Sequence, residues 1–169
     1  GAYAEWSESD RQAFLVRELE GGRPLIPPNL WAGDNGLPAP VQNVLQTFAV
    51  AARQGPGSLG AYVISMARQP SDVLVVELFQ REARMRFGHA HAGPPMRVVP
   101  LFETLADLDA AGSVMRDLLA IPWVSQRVRD LQGGRHEVMI GYSDSAKDAG
   151  RLAAAWALYR GQEDIVSAS

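Results

Sequence analysis

Residues 97–102, Arg-Val-Val-Pro-Leu-Phe, are the short apolar run that decides the fold class of this chain. The run follows a stretch rich in glycine and proline, 88–95, and precedes helical sequence that begins near Thr104. Two similar runs, 61–66 and 137–142, also precede helical patterns, and the first has the composition of a strand buried on both faces. Strands that alternate with helices predict consecutive parallel β/α units, so the sequence predicts an α/β fold.

The composition limits the class of protein. Of the 169 residues, 47% are hydrophobic and 21% are charged, which is typical of one globular domain. The net charge of −3 gives no indication of a nucleic-acid partner or of binding to an anionic membrane. No segment approaches the roughly 20 apolar residues that a membrane span needs. The absence of cysteine excludes a thiolate nucleophile and a cysteine-based zinc site. We therefore expect a cytoplasmic protein.

Outside the predicted strands, the chain is predicted to form helices that are joined by irregular segments rich in glycine and proline. A helical lead-in, 1–58, precedes three β/α units, 59–169, within a single domain. Ser7 is the predicted N-cap of the first helix, because an acidic residue stands three positions later. Gly112 and Pro122 are expected to break the helical region after the second strand. Apolar residues at helical spacing predict the apolar faces of three helices: Phe14, Leu15 and Leu19; Val41, Val44, Leu45, Phe48 and Ala52; and Leu152, Ala155, Trp156 and Tyr159.

The carboxyl ends of the predicted strands are the expected place for a ligand, because strand ends and helix N-termini converge there in parallel α/β folds. The stretches at these ends are 65–72, Glu103 and 143–148. Glu103 and Asp144 each follow an apolar run directly, and two carboxylates from neighbouring strands would suit Mg²⁺ or Mn²⁺. The alternative is that each carboxylate caps the helix that follows it.

Lys147 stands three positions after Asp144, at the predicted start of the last helix. A cation at a helix N-terminus opposes the helix dipole and is unfavourable without an anionic partner. Asp144, Asp148 or a bound phosphate could be that partner. A surface ion pair between Lys147 and Asp148 is the interpretation that requires no function.

Four further side chains are of types that can bind a ligand, three histidines and a tryptophan. His89 and His91 form a His-x-His pair in a loop rich in glycine and proline, where solvated side chains are expected unless a third metal ligand is nearby. His136 stands at the amino end of the third strand, away from the expected site. Trp31 lies in a second irregular segment, where it either anchors that loop on the core or stacks on a ligand.

Residues 137–151, Glu-Val-Met-Ile-Gly-Tyr-Ser-Asp-Ser-Ala-Lys-Asp-Ala-Gly-Arg, resemble the signature of phosphoenolpyruvate carboxylase. Other stretches resemble further blocks of this family in the family's order: 6–25, 62–67, 70–74 and 99–108. The resemblance covers most of the chain. The long run 141–150 is its most specific part. The poorly matching parts are loop-like: 31–40, 84–96 and 129–135.

The resemblance implies an enzyme of carbon dioxide fixation, a lyase that joins bicarbonate to phosphoenolpyruvate and gives oxaloacetate and phosphate. The family requires Mg²⁺ or Mn²⁺ and proceeds through carboxyphosphate and the enolate of pyruvate. By resemblance, Glu103 and Asp144 are the metal ligands and Lys147 is a catalytic residue. The resemblance also implies a partial TIM-type (β/α)8 barrel with extra helices, an allosteric homotetramer and a role beside the tricarboxylic acid cycle.

The chain is expected to be an internal fragment of such an enzyme. Family members are several times longer, and the family's catalytic histidine and its glycine-rich arginine loop are absent from this sequence. Three strands cannot close a barrel that needs about eight. The fragment would then require the remainder of the parent chain as its partner for activity. The alternative is a non-catalytic α/β module that keeps the family blocks for folding or subunit contact.

Overall fold

The structure is a computed structural model that describes residues 1–33, 36–54, 57–88, 93–141 and 151–168. The described residues form six α-helices and three β-strands. The helices are α1 (Glu8–Glu20), α2 (Ala39–Arg53), α3 (Pro70–Phe87), α4 (Leu105–Ala120), α5 (Pro122–Gln132) and α6 (Arg151–Ser167). The strands are β1 (Ala61–Ile64), β2 (Arg97–Phe102) and β3 (Met139–Ile140). They form one parallel sheet in the order β1-β2-β3, which confirms the α/β fold class.

The central strand of the described sheet, β2, has the bounds that the sequence predicts and is the buried one. Val98, Val99 and Phe102 are almost completely buried, and Phe102 pairs with Ile140 of β3. The prediction that the first strand is buried on both faces is wrong, because Val63 of β1 is 42% exposed. β1 pairs with β2 alone among the described strands and therefore has a less buried position than β2.

The chain divides into two compact units, one of Gly1–Ala61 and Leu74–Met96 and the other of Tyr62–Val73 and Arg97–Ser169. The predicted boundary between residues 58 and 59 within a single domain stays a prediction. Among the described residues, no helix combines the length and the apolar character of a membrane span.

The core of the first unit forms between α1, α2 and most of α3. Ser7 is the N-cap of α1, as predicted, and its Oγ accepts a hydrogen bond from the backbone N–H of Asp10 at 3.2 Å. Phe48 of α2 stacks on Phe79 of α3 with ring centroids 5.5 Å apart. Trp31 is buried edge-on against another ring of α3, so the anchoring interpretation of this tryptophan is confirmed. The predicted face of α2 is only partly buried, since two of its valines are exposed: Val41 and Val44.

In the second unit, α4 and α6 pack closely against each other. The expected break at Gly112 is wrong, because α4 runs continuously through this residue. A Cβ atom at Gly112 would lie only 2.6 Å from the Cβ of Asp164 in α6, so glycine allows the two helices to approach. The expected break at Pro122 is confirmed, since α4 ends at Ala120 and α5 begins with the proline.

The large apolar residues of α6 do not form its buried face. Leu152, Trp156 and Tyr159 are 86%, 62% and 52% exposed, whereas Ala154 and Gly161 are buried. A Cβ atom at Gly161 would lie 3.3 Å from the carbonyl oxygen of Leu108 in α4. Because α4 and α6 approach closely, the buried face of α6 is the one with small residues. The pattern of large apolar residues does not indicate this face. The predicted start of this helix near Lys147 lies outside the described residues.

Candidate functional site

Glu103 lies at the carboxyl end of the sheet, directly after β2, with a half-buried side chain. Gly141 directly follows β3, and its backbone N–H donates a hydrogen bond to the carbonyl oxygen of Phe102 at 2.8 Å. A Cβ atom at Gly141 would lie 2.6 Å from the Cβ of Glu103. The ends of β2 and β3 therefore converge at Glu103, as the strand-end argument predicts for these two strands. The glycine allows this close passage of the backbone.

Glu103 is not the cap of the following helix. Thr104 is the N-cap of α4, and its Oγ1 accepts a hydrogen bond from the backbone N–H of Asp107 at 3.1 Å. The Asp107 carboxylate accepts one in return from the backbone N–H of Thr104 at 3.2 Å. This reciprocal capping box satisfies the helix N-terminus without the preceding residue. The capping interpretation of Glu103 is therefore wrong, and its carboxylate is available for another role.

The loop that follows β1 approaches the same part of α4. Arg68 Nε lies 3.5 Å from an Oδ atom of Asp107, which is the capping residue described above. The backbone of this loop is also held, because the Asp72 carboxylate accepts hydrogen bonds from the N–H groups of Arg68 and Gln69 at 2.9 and 3.0 Å. A cation after β1 and a carboxylate after β2 thus lie at one end of the sheet, which we call the carboxyl rim.

Several of the predicted site residues lie outside the described residues: Asp144 and Lys147, and also the loop histidines His89 and His91. Within the described ranges, no group of three or more histidine, aspartate or glutamate side chains comes together as a metal site. Of the residues predicted as metal ligands or catalytic groups, the structure therefore describes Glu103 alone.

His136 lies at the other end of the sheet, as the sequence predicts. It precedes β3, next to Glu137, whose carboxylate forms an ion pair with Arg97 at the start of β2 at 3.0 Å. Both ring nitrogens of His136 are buried without a hydrogen-bond partner among the described residues. Burial lowers the pKa of His136, and the neighbouring Glu137 carboxylate opposes this shift in part. This histidine is separated from Glu103 by the length of the strands.

Comparison with known proteins assigns the chain to a family. The family model for phosphoenolpyruvate carboxylase matches residues 1–169, the whole chain. The chain belongs to the phosphoenolpyruvate carboxylase family. The resemblance in the signature 137–151 is thereby extended to the full sequence.

The chain is similar to phosphoenolpyruvate carboxylases of algae, plants and bacteria. It is 53% identical to phosphoenolpyruvate carboxylase 2 of Chlamydomonas reinhardtii, with 99% of this chain and 14% of the relative covered. It is 51% identical to phosphoenolpyruvate carboxylase 4 of Arabidopsis thaliana, with 99% and 16% covered. It is 54% identical to the phosphoenolpyruvate carboxylase of Marinobacter nauticus, with 98% and 17% covered. The chain thus spans only a small part of each relative.

The phosphoenolpyruvate carboxylase signature does not indicate every residue that shapes the carboxyl rim. Gly141 lies in the stretch that resembles the signature, but its close approach to Glu103 is known only from the packing of β3 against β2. The sequence did place 65–72 at a strand end, but it gave no sign that Arg68 pairs with Asp107. Thr104, followed three positions later by Asp107, is a capping box that the sequence could have indicated.

Proposed function

We propose that this chain is part of a phosphoenolpyruvate carboxylase, which joins bicarbonate to phosphoenolpyruvate and releases oxaloacetate and phosphate. The observation that carries the proposal is the match of the whole chain to the family, at about 50% identity to complete enzymes. The position of Glu103 at the meeting point of two strand ends supports it. In this proposal the three β/α units belong to a (β/α)8 barrel of TIM type.

Glu103 and Asp144 are the proposed ligands of Mg²⁺ or Mn²⁺. The Glu103 carboxylate is not used in the cap of α4, and Asp144 follows Gly141 by three residues in the sequence. Two carboxylates from neighbouring strands form the oxygen-rich set that these cations prefer. When bound, the cation would stabilise the negative charge that develops on a substrate oxygen.

Lys147 is the proposed catalytic residue. Its ammonium group would hold anionic phosphate or carboxylate groups of the substrates and would also offset the two proposed carboxylate ligands. The sequence supports this proposal by the spacing of Lys147 and Asp144 within the signature. The homotetramer, the allosteric regulation, the place beside the tricarboxylic acid cycle and the cytoplasmic location are further proposals that rest on the family resemblance.

A chimera tests the proposed function. In it, this chain replaces the corresponding segment of the Marinobacter nauticus enzyme, to which it is 54% identical. We expect the chimera to form oxaloacetate from bicarbonate and phosphoenolpyruvate in the presence of Mn²⁺. A chimera that folds but forms no oxaloacetate would contradict the proposal and would favour the non-catalytic module.

The same chimera tests the metal ligands. We expect Glu103→Gln and Asp144→Asn each to raise sharply the Mn²⁺ concentration needed for half-maximal activity. Glu137→Gln is the matched control, because Glu137 lies at the opposite end of the sheet and pairs there with Arg97. An unchanged Mn²⁺ requirement in the first two variants would contradict the ligand assignment.

A further inference from the structure

The carboxyl rim has a cation in a fixed place that the metal and lysine assignments do not use. Arg68 belongs to the loop after β1, and its backbone N–H donates a hydrogen bond to the Asp72 carboxylate at 2.9 Å. The same carboxylate oxygen accepts the N–H of Gln69 at 3.0 Å. Since Asp72 stands in the first turn of α3, these two bonds hold the backbone of Arg68 at the N-terminus of that helix.

The side chain of Arg68 is oriented by a buried carboxylate. Its Nε lies 3.5 Å from Asp107 Oδ1, and the side chain of Asp107 is only 3% exposed. The other oxygen of that carboxylate, Oδ2, accepts the backbone N–H of Thr104 at 3.2 Å. Because Thr104 directly follows Glu103, a single aspartate connects the guanidinium to the residue next to the proposed metal ligand. All of these residues lie in one compact unit.

The ion pair with Asp107 leaves most of the Arg68 side chain exposed. The Arg68 side chain is 65% exposed, and the pair engages its Nε. Arginine carries five N–H donors in a planar fork that fits a phosphate or a carboxylate, so the Nη groups can bind a second anion. An ion pair in which one partner is this exposed contributes little to stability. Stabilisation of the fold therefore does not by itself explain why Arg68 is held in this position.

We propose that Arg68 binds an anionic group of the substrates, a phosphate or a carboxylate, beside Glu103. This inference rests on the proposed function, because it assigns one more residue to the same site. Asp107 is then a positioning residue, which holds the guanidinium through its Nε and leaves the Nη groups to the substrate. Phosphoenolpyruvate carries both kinds of anionic group, and bicarbonate is the second source of a carboxylate-like anion.

Arg68→Ala in the chimera described above tests this role. We expect the KM of one substrate to rise by about ten- to a hundred-fold, which corresponds to the loss of one or two hydrogen bonds to a charged group. A rise for phosphoenolpyruvate identifies its phosphate or carboxylate as the bound group, and a rise for bicarbonate identifies that anion instead. Arg68→Lys keeps the charge but loses the fork, so we expect a smaller rise in the same KM.

Arg97→Ala is the matched control. Arg97 stands at the other end of β2 and forms an exposed ion pair with Glu137, so its removal should leave both KM values unchanged. We also expect Asp107→Asn to raise the same KM as Arg68→Ala. Thermal unfolding of each variant separates these effects from a loss of folded protein, and Arg68→Lys serves as the test variant if Arg68→Ala unfolds.

Calorimetric titration with phosphoenolpyruvate and with bicarbonate separates this inference from the proposed function. If the folded chimera lacks turnover, the proposed reaction is contradicted. If its Arg68→Ala variant nevertheless loses affinity for one of these anions, the role of Arg68 is supported. An active chimera in which Arg68→Ala and Arg68→Lys change neither the KM values nor the affinities overturns the role of Arg68 and leaves the proposed function intact.

Discussion

The carboxylate of Glu82 in α3 holds the segment that follows α1. Its side chain is 1% exposed and forms an ion pair with Arg81 at 2.6 Å. Its other oxygen accepts the backbone N–H groups of Leu25 and Ile26 at 2.7 and 2.9 Å. The residues at both ends of these bonds lie more than 50 positions apart in the sequence, so no local pattern indicates this contact. A buried carboxylate is stable when its lone pairs are satisfied in this way.

Substitution of Glu82 is expected to destabilise the chain. Glu82→Gln keeps one acceptor oxygen but loses the charge, so we expect a loss of about 1–3 kcal/mol in the free energy of unfolding. Glu82→Ala leaves the partly buried N–H groups of Leu25 and Ile26 and the Arg81 guanidinium without this partner, and we expect a larger loss of about 3–5 kcal/mol. Urea unfolding measures both. The exposed carboxylate of Glu137 offers the control, since Glu137→Gln should cost less than about 1 kcal/mol. Equal effects at the two positions would contradict the role of Glu82.

The burial of His136 is expected to make stability depend on pH. Because burial lowers its pKa below the ordinary value of 6.5, the unfolded chain binds a proton at a higher pH than the folded chain. The free energy of unfolding should therefore fall as the pH drops below about 6.5. Once the pH is below the lowered pKa of His136 in the folded chain, this histidine should cause no further decrease. His136→Leu and His136→Gln remove the titrating group. As the pH falls through this window, the free energy of unfolding of each variant should therefore decrease less than that of the unsubstituted chain. A difference that is constant from pH 7 to pH 5 would count against this explanation.

At the scale of elements, the packing of α4 against α6 overrides two local sequence rules. Glycine is unfavourable inside a helix, yet Gly112 lies in the middle of α4, where Asp164 leaves no room for a side chain. The large apolar residues of α6 predict a buried face, yet Ala154 and Gly161 are the buried residues. Both differences have one cause, since a close approach of two helix backbones needs small residues at the contact.

Gly112→Ala is expected to destabilise the chain even though alanine favours a helix. The added methyl group would lie 2.6 Å from Asp164 Cβ and 3.0 Å from the backbone of Asp164, which forces the helices apart. The steric cost of about 1–3 kcal/mol outweighs the gain of about 1 kcal/mol in helix propensity, so we expect a net loss of up to about 2 kcal/mol in the free energy of unfolding measured in urea. At Gly60 a Cβ atom would meet no heavy atom within 4 Å, so Gly60→Ala should change stability by less than about 1 kcal/mol. A more stable Gly112→Ala variant would show that α4 and α6 do not approach this closely.

At the scale of the whole molecule, the chain covers only a small fraction of the length of its relatives, and this limits the activity that we expect of it alone. It covers 14–17% of the length of the three relatives compared. The described part of the sheet has three strands, whereas a closed barrel of the proposed type needs about eight. In the proposed enzyme, a rim made by three strands would surround a substrate on one side only.

We therefore expect the isolated 169-residue chain to form no oxaloacetate from phosphoenolpyruvate and bicarbonate with Mg²⁺ or Mn²⁺. Oxaloacetate is measured by its reduction with malate dehydrogenase and NADH, and the chimera serves as the positive control. Turnover by the purified chain that disappears on Glu103→Gln would contradict this prediction and would show that three β/α units complete the site.

Local sequence rules predicted much of this structure. The cap at Ser7, the bounds of β2 and the helix break at Pro122 were all predicted correctly, because each depends on residues within a few positions of one another. The order of strands and helices also placed Glu103 at the strand end where the next strand meets it. The assignments of Asp144 and Lys147 stay predictions, since both lie outside the described residues.

The sequence by itself determined the family of this protein, its alternation of strands and helices and the placement of an acidic residue directly after β2. Only the tertiary structure decided which face of α6 is buried, why Gly112 is a glycine, and that Asp107 joins Arg68 to the segment after Glu103. The physical reason is that hydrogen-bonded caps and strand propensities act between neighbours in the chain. Close packing and ion pairing instead depend on residues that are distant in sequence and meet only after the chain has folded.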